Sequence, residues 1–287
     1  MLYSLQQKHL PEIKYYMAQH FFETVYLRKP AEWLSEGDVP GTFYGFFDEG
    51  QLLGLFYFSN KNSLLFHYSD DRVLRNMDLL RAVRHYKPQF IKGEKHVTDG
   101  LYRILCRSFS DIREADVSLM VYEGEHAGNV IPENTAVETM LSQAGFELLG
   151  LGSGAGILSG YSPQFFLDVE TAFGRQRQSV NDILKRNQQL LEEGSYLIVL
   201  KDGSPVAQGL IEEETAETAI VGGIYTVKSY RRQGLGAHVS EALTKTALDR
   251  GKTPMLFVEK RNVEARSVYE KLGYVCRADY CVMTVAY

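Results

Sequence analysis

The chain reads as an α/β protein with mixed sheets, built as two domains in tandem. Three observations predict this. Short apolar strand-like runs alternate with segments of helical period along the whole length. The two halves repeat one order, helix, hairpin, strand, helix, strand, helix, strand, and aligning Tyr86-Lys87-Pro88 with Lys252-Thr253-Pro254 puts the flanking elements in register. Between the halves, Gly150, Gly152, Gly154, Gly156 and Gly160 crowd a segment that reads as a connection. The expected boundaries are a first domain at 1–125, a linker at 126–160 and a second domain at 161–287.

In the first half, 2–6 reads as a short strand and 10–26 as a helix, with Pro30 and Pro40 punctuating the stretch after it. The aromatic-rich runs 42–48 and 52–59 flank Glu49-Gly50-Gln51 and read as a hairpin. A strand at 63–68 precedes a helix at 73–86, where Leu74, Met77, Leu80 and Val83 share a face. A strand at 89–92, a helix at 97–108 and a strand at 116–122 complete the half.

In the second half, Ser162-Pro163 suits an N-cap and first helical residue. Helical pattern covers 164–174 and 179–193, and Gly194 is placed to end the second helix. Strands at 196–200 and 206–213 flank Asp202-Gly203, a strong hairpin signal. A strand at 218–227 leads through a glycine-bearing turn into a helix at 235–250. Then come a strand at 255–259, a helix at 263–272 ended by Gly273, and a closing strand at 274–285.

The chain has 287 residues, 45% hydrophobic and 23% charged, with net charge −5. That size accommodates two domains, and the charge argues against a nucleic-acid-binding role. Cys106, Cys276 and Cys281 form neither a disulfide framework nor a zinc pattern, so no metal is expected and a reducing, cytoplasmic setting is. No apolar stretch is long enough for a membrane span, and the first residues lack a signal-peptide pattern.

The chemistry concentrates at Arg231-Arg232-Gln233-Gly234-Leu235-Gly236-Ala237. A glycine turn entering a helix leaves main-chain N–H groups unpaired at the positive end of the helix dipole. That is an anion site, and two arginines beside it suit a ligand with more than one phosphate. No Gly-Lys-Ser/Thr follows the glycines, and no GxGxxG with an acidic strand end is present, which disfavours a P-loop and a dinucleotide fold. A second motif follows the next strand: Asn262-x-x-Ala265-x-x-x-Tyr269-x-x-Leu272-Gly273-Tyr274.

Together the two motifs resemble the coenzyme A-binding core of the GNAT superfamily of N-acetyltransferases, over about 162–287. The resemblance implies a GNAT-like fold for both domains and acetyl-CoA as cosubstrate. It implies that Arg231, Arg232, Gln233, Gly234, Leu235, Gly236 and Ala237 cradle the pyrophosphate, and that Asn262 flanks the pantetheine arm, although an N-cap role suits Asn262 as well. Backbone N–H groups near Tyr225, Thr226 and Val227 would face the thioester carbonyl if their strand splays from its neighbour. Tyr269 would donate a proton to the departing sulfur; a phenol of pKa about 10 is protonated at neutral pH. A packing tyrosine on an amphipathic helix is the other reading, in a chain with 18 tyrosines.

The first half lacks these residues. Arg103 falls opposite Tyr269 and His96 opposite Asn262, and Ser69-Asp70-Asp71-Arg72 replaces the glycine turn with adjacent carboxylates that repel a pyrophosphate. A second register, 134–146 against 262–274, puts Leu141 at the tyrosine position. The chain therefore resembles tandem GNAT proteins with one degenerate half.

The proton acceptor stays open at this level. Glu212, Glu213, Glu214 and Glu217 lie at the ends of two strands, and Glu213 is taken as the candidate. Where many members of the superfamily carry a carboxylate, this chain has Ile220, Val221, Gly222 and Gly223. His238 reads as a surface or packing histidine. The expected activity is acetyl transfer from acetyl-CoA to a primary amine of a small molecule or peptide, and the expected assembly includes a homodimer. The alternative is a non-catalytic acyl-CoA-binding sensor.

Overall fold

The computed structural model describes residues 2–124, 131–150, 157–174 and 179–287. The chain divides into two compact units. One comprises Met1–Leu119, Val258–Asn262 and Cys276–Tyr287; the other comprises Met120–Phe257 and Val263–Val275.

The first unit starts with β1 (Leu2–Ser4), α1 (Leu10–Gln19) and α2 (Val25–Glu36). Pro30, which the sequence places in a punctuating stretch after the first helix, lies inside α2. Burial of Leu27 and Leu34 on one face, in the core shared with α1, outweighs the lost backbone bond. The helix start is held from afar, because the Val25 N–H donates to the Tyr280 hydroxyl, which itself donates to the Phe22 carbonyl. The hairpin β2 (Gly41–Asp48) and β3 (Gln51–Ser59) turns at Glu49 and Gly50, both at positive φ. Next come β4 (Ser63–Tyr68), α3 (Met77–Tyr86), β5 (Phe90–Glu94), α4 (Lys95–Leu105) and β6 (Asp111–Tyr122).

Neighbouring strands β1 to β4 pair antiparallel, while β4 and β5 pair in parallel over Ser63–Leu65. Helices cover both faces. Phe56, Phe58 and Phe66 pack with α3 and α4, while Leu55, Tyr57 and Phe43 pack with α1 and α2. That two-sided burial explains why β3 is apolar at almost every position. Asn76 caps α3, its Oδ1 accepting from the N–H groups of Asp78 at 2.9 Å and Leu79 at 3.0 Å. Asn76→Ala is expected to destabilise the first unit by about 1 kcal/mol in denaturant titrations.

The second unit adds α5 (Asn134–Gln143) and β7 (Glu147–Leu149), which fall inside the 126–160 span read as a linker. They are packed elements. Val137 and Leu141 are buried in the core, and β7 pairs antiparallel with β8. Gly152, Gly154 and Gly156 of the glycine-crowded segment lie outside the described residues. There follow α6 (Pro163–Ala172), α7 (Val180–Glu192), β8 (Tyr196–Lys201), β9 (Ser204–Glu214), β10 (Thr218–Thr226), α8 (Leu235–Asp249), β11 (Thr253–Glu259), α9 (Val263–Leu272) and β12 (Tyr274–Ala286).

Asp202 and Gly203 both take positive φ, as the two-residue hairpin between β8 and β9 requires. Strands β7 to β10 pair antiparallel, and β10 pairs in parallel with β11 over Thr218–Ile220. The element order of the first unit is thus repeated, including one parallel pair at the same place. Val199, Val221, Val239 and Leu243 form the core under α8, and Tyr196, Ile198, Phe166 and Leu191 the core under α6 and α7. The last strand is shared: β12 begins in the second unit, and its Tyr280–Thr284 stretch pairs antiparallel with β5.

Candidate functional site

The site of the second unit is built on β10. Its registered pairing with β11 ends at Ile220 opposite Met255, although both strands continue. On its other side the pairing with β9 carries two irregularities. Ile220 faces Glu213 and Val221 faces Ile211, so Glu212 is an extra residue on β9. Gly222 faces Leu210 and Tyr225 faces Gln208, so β10 then carries the extra residue, at Gly223 and Ile224. Gly223 has φ +60°, a conformation that favours glycine, and a side chain there would meet Leu210 Cδ2 at 2.2 Å.

Past the bulge, the Val227 N–H donates to the Val206 carbonyl at 2.9 Å. Strand alternation then turns the Tyr225 N–H towards β9 as well, and the N–H groups of Ile224 and Thr226 away from it. Of Tyr225, Thr226 and Val227, only Thr226 presents its N–H on the side from which β11 departs. Ile224, which the motif did not indicate, presents the other. The Tyr225 side chain packs edge-on against Phe165 of α6, with ring centroids 5.9 Å apart.

The glycine turn comes directly after. Arg232 and Gly234 take φ values of +63° and +80°, which curl the chain into α8 with Gly234 as N-cap. No side chain caps this helix, and its first backbone bond runs from the His238 N–H to the Gly234 carbonyl. The N–H groups of Leu235, Gly236 and Ala237 precede that bond. Leu235 and Val239 anchor the helix in the core, while Arg231, Arg232, Gln233 and Gly234 are exposed. Arg231 Nε donates to the Thr226 carbonyl at 3.1 Å, which ties the guanidinium alongside the turn. A Cβ on Gly236 would meet only Ile224 Cγ2 at 3.7 Å and Thr226 Oγ1 at 3.9 Å. The missing side chain therefore leaves open the space between the first turn of α8 and the outward N–H groups of β10.

In the first unit the equivalent junction, between β4 and α3, is filled. Asp70 Oδ1 accepts from the Arg72 N–H at 2.8 Å, and Asn76 takes the N–H groups that open α3.

Tyr269 projects from α9, half-buried, its ring 6.0 Å from that of Tyr274 in an edge arrangement. Tyr274 is fully buried and fixed by a 2.7 Å hydrogen bond between its hydroxyl and Thr244 Oγ1 on α8. Burial, and secondarily the charge of Glu212, push the Tyr269 phenol up to about 12. Glu212 is the carboxylate whose charge reaches Tyr269. Its side chain crosses Gly222, since a Cβ there would lie 2.6 Å from Glu212 Cδ. Glu213 stands opposite Ile220, and Glu214 is engaged by Arg250 at 2.7 Å. The bulge shifts the phase of β9 at Glu212, which sets the side each of these carboxylates takes. The Gly222-Gly223 pair was the sequence signal that could have revealed the irregularity.

Asn262 is exposed just ahead of α9, in the segment that belongs to the first compact unit, and its N–H donates to the Glu259 carbonyl at 2.9 Å. His238 Nδ1 lies 3.0 Å from Glu241 Oε2, and that hydrogen bond raises the imidazole pKa. Among the described residues no group of three or more His, Cys, Asp or Glu could hold a metal, and no helix is long and apolar enough to cross a membrane.

Comparison with solved structures places the fold. The chain is similar to a tandem GNAT protein from the clavulanic acid biosynthesis pathway, with 11% identity, TM-score 0.60, and 100% of this chain and 98% of that one covered. It is similar to a GCN5-related N-acetyltransferase from Sphaerobacter thermophilus, with 15% identity, TM-score 0.61 and coverage of 99% and 95%. A Drosophila protein aligns with TM-score 0.67, 14% identity and coverage of 99% and 98%. The protein thus has the two-domain α/β fold of the GNAT superfamily, as its two motifs led one to expect. Within it, residues 198–283 match the FR47-like protein family. No curated protein matches the chain.

Proposed function

We propose that the second unit transfers the acetyl group of acetyl-CoA to a primary amine. The observation that carries this reading is the uncapped start of α8, opened by Gly236 onto the outward N–H groups of Ile224 and Thr226. The turn from Arg231 to Ala237 would hold the pyrophosphate through main-chain N–H groups, with Arg231 and Arg232 adding charge. The thioester then lies along the gap between β10 and β11. An N–H of β10 stabilises the carbonyl oxygen as negative charge develops on it.

The amine lone pair attacks the thioester carbon, the C–S bond breaks, and the electron pair leaves with sulfur. Tyr269, protonated across the neutral range, gives its proton to the thiolate and regains one from solvent. Glu212, beside Gly222, takes the proton that the nitrogen loses. In the first unit, side-chain capping of the corresponding N–H groups and the adjacent Asp70 and Asp71 disfavour a pyrophosphate, which leaves the transfer to the second unit.

Release of free thiol from acetyl-CoA across an amine library tests the activity. Calorimetry with coenzyme A tests the site independently. In Gly236→Val the added methyl groups fill the open space beside Ile224 and Thr226, so the variant should fold normally and bind coenzyme A at least tenfold more weakly, an effect of about 1.4 kcal/mol. Tight binding with no thiol released with any amine would favour a non-catalytic acyl-CoA sensor. Unchanged binding by Gly236→Val would reject the site itself.

A further inference from the structure

We propose that Gln208 and Tyr196 are positioning residues for the acetyl carbonyl: they fix and polarise the Gly223–Ile224 peptide, whose N–H points into the gap between β10 and β11. This rests on the acetyl-transfer reading of the second unit.

Gln208 and Tyr196 are 1% and 0% exposed, in a core otherwise lined by Ile198, Leu210 and Phe166. Burying an amide and a phenol there is costly unless both are satisfied. They are satisfied by a chain in which every donor points the same way. Arg186 Nε and one terminal nitrogen donate to Asn187 Oδ1 at 3.1 and 3.0 Å, which leaves the Asn187 NH2 to donate. The Arg186 charge and Asn187 both act on the Tyr196 hydroxyl, opposing the rise that burial imposes on its pKa. The Tyr196 hydroxyl donates to Gln208 Oε1 at 2.5 Å, and Gln208 Nε2 donates to the Gly223 carbonyl at 3.4 Å. A carbonyl can only accept, so the amide orientation of Gln208 is fixed by its partners. The Arg186 guanidinium is itself paired with buried Glu170 at 2.8 Å, and the hydrogen-bonded run from Tyr196 through Gln208 ends on the bulge.

The Gly223–Ile224 peptide is trans, so a donor on its carbonyl holds its N–H in the opposite direction. That direction is away from β9, where the pairing with β11 has ended. A bulge with glycine at its centre is free to rotate its peptide plane. The Gln208 bond removes that freedom and, by drawing charge through the carbonyl, makes the Ile224 N–H a stronger donor. Because aligned donors reinforce one another, Tyr196 acts on the same peptide through Gln208. Neither residue touches the substrate.

The test uses acetonyl-CoA, an unreactive ketone analogue of acetyl-CoA, labelled with 13C at the carbonyl and bound to the full-length protein. In the wild type the ketone resonance is expected downfield of its position in water. In Gln208→Met that displacement should shrink while calorimetric affinity stays within about twofold, and Tyr196→Phe should give a smaller change in the same direction. Where an acceptor amine is in hand, kcat should fall about tenfold in Gln208→Met with KM for acetyl-CoA unchanged, part of the 10²–10³ that outright loss of an oxyanion donor costs. Failure of the wild type to bind the analogue would overturn the acetyl-transfer reading. Binding with the same carbonyl shift in the wild type and both variants would overturn the positioning role alone. If thermal melting shows that Gln208→Met does not fold, Tyr196→Phe decides.

Discussion

Replacing Tyr269 with phenylalanine should lower kcat for acetyl transfer by roughly 10²- to 10⁴-fold, the range of a positioned general acid, and leave coenzyme A affinity unchanged. The phenylalanine ring keeps the edge contact with Tyr274, so the melting temperature should hold. Only the proton is lost, and the thiolate must then leave without one. The pH profile sharpens the expectation. With the phenol pushed up to about 12, the acid form persists through the alkaline range, so deprotonation of Tyr269 should produce no fall in rate below about pH 10. Thiol release measured from pH 6 to 10 checks both points. A variant retaining kcat within twofold of wild type would remove Tyr269 from the chemistry and leave it as a packing residue.

Acidification should destabilise the first unit steeply. His67 on β4 is 4% exposed, and its Nδ1 lies 2.8 Å from the Tyr16 hydroxyl. Burial, together with the adjacent His20 ring 4.7 Å away, drives its pKa down from 6.5 to about 3. His20 is lowered as well, by burial, with Glu23 opposing. Because the folded pKa lies below the unfolded one, the unfolded chain binds the proton first as pH falls. Stability is then complete above about pH 6.5 and declines as pH drops towards 3, at about 1.4 kcal/mol per pH unit for His67 alone. Trp33, the chain's one tryptophan, sits on α2 with its ring 6.4 Å from that of Tyr57, so its fluorescence reports this unit. Denaturant titrations followed at Trp33 between pH 6.5 and 4 should show the decline, and His67→Gln should flatten it. An equal slope in wild type and variant would assign the acid sensitivity to other groups.

The parts legible in the sequence are those that local rules govern. Asp202-Gly203 gave the β8–β9 turn, Gly234 and Gly236 gave the start of α8, and the period of 263–272 gave α9 with Tyr269 on it. What escaped depends on how strands meet. Glu212 reaches Gly222 because β9 gains a residue where β10 does not, and period-two alternation carries no trace of that shift. Nothing in the sequence marks Gln208; only the fold brackets it between Tyr196 and Gly223. Residues 134–149 read as part of a connection because they adjoin the glycine-crowded segment 150–160, yet Val137 and Leu141 meet Leu243 and Val239 in one core. Pro30 reads as punctuation after the first helix, yet tertiary burial carries a helix through it.

The division of β12 sets an order on biosynthesis. Strand β5 waits for its partner residues Tyr280–Thr284, which lie almost two hundred positions downstream, and the start of α2 waits for the Tyr280 hydroxyl. As the polypeptide emerges from the ribosome, the second unit has nearly all its residues in hand while the first still exposes the edge of β5 and the Phe22–Val25 corner. The half made earliest is therefore the half completed last, and no single cleavage of the chain can separate the two units with each intact.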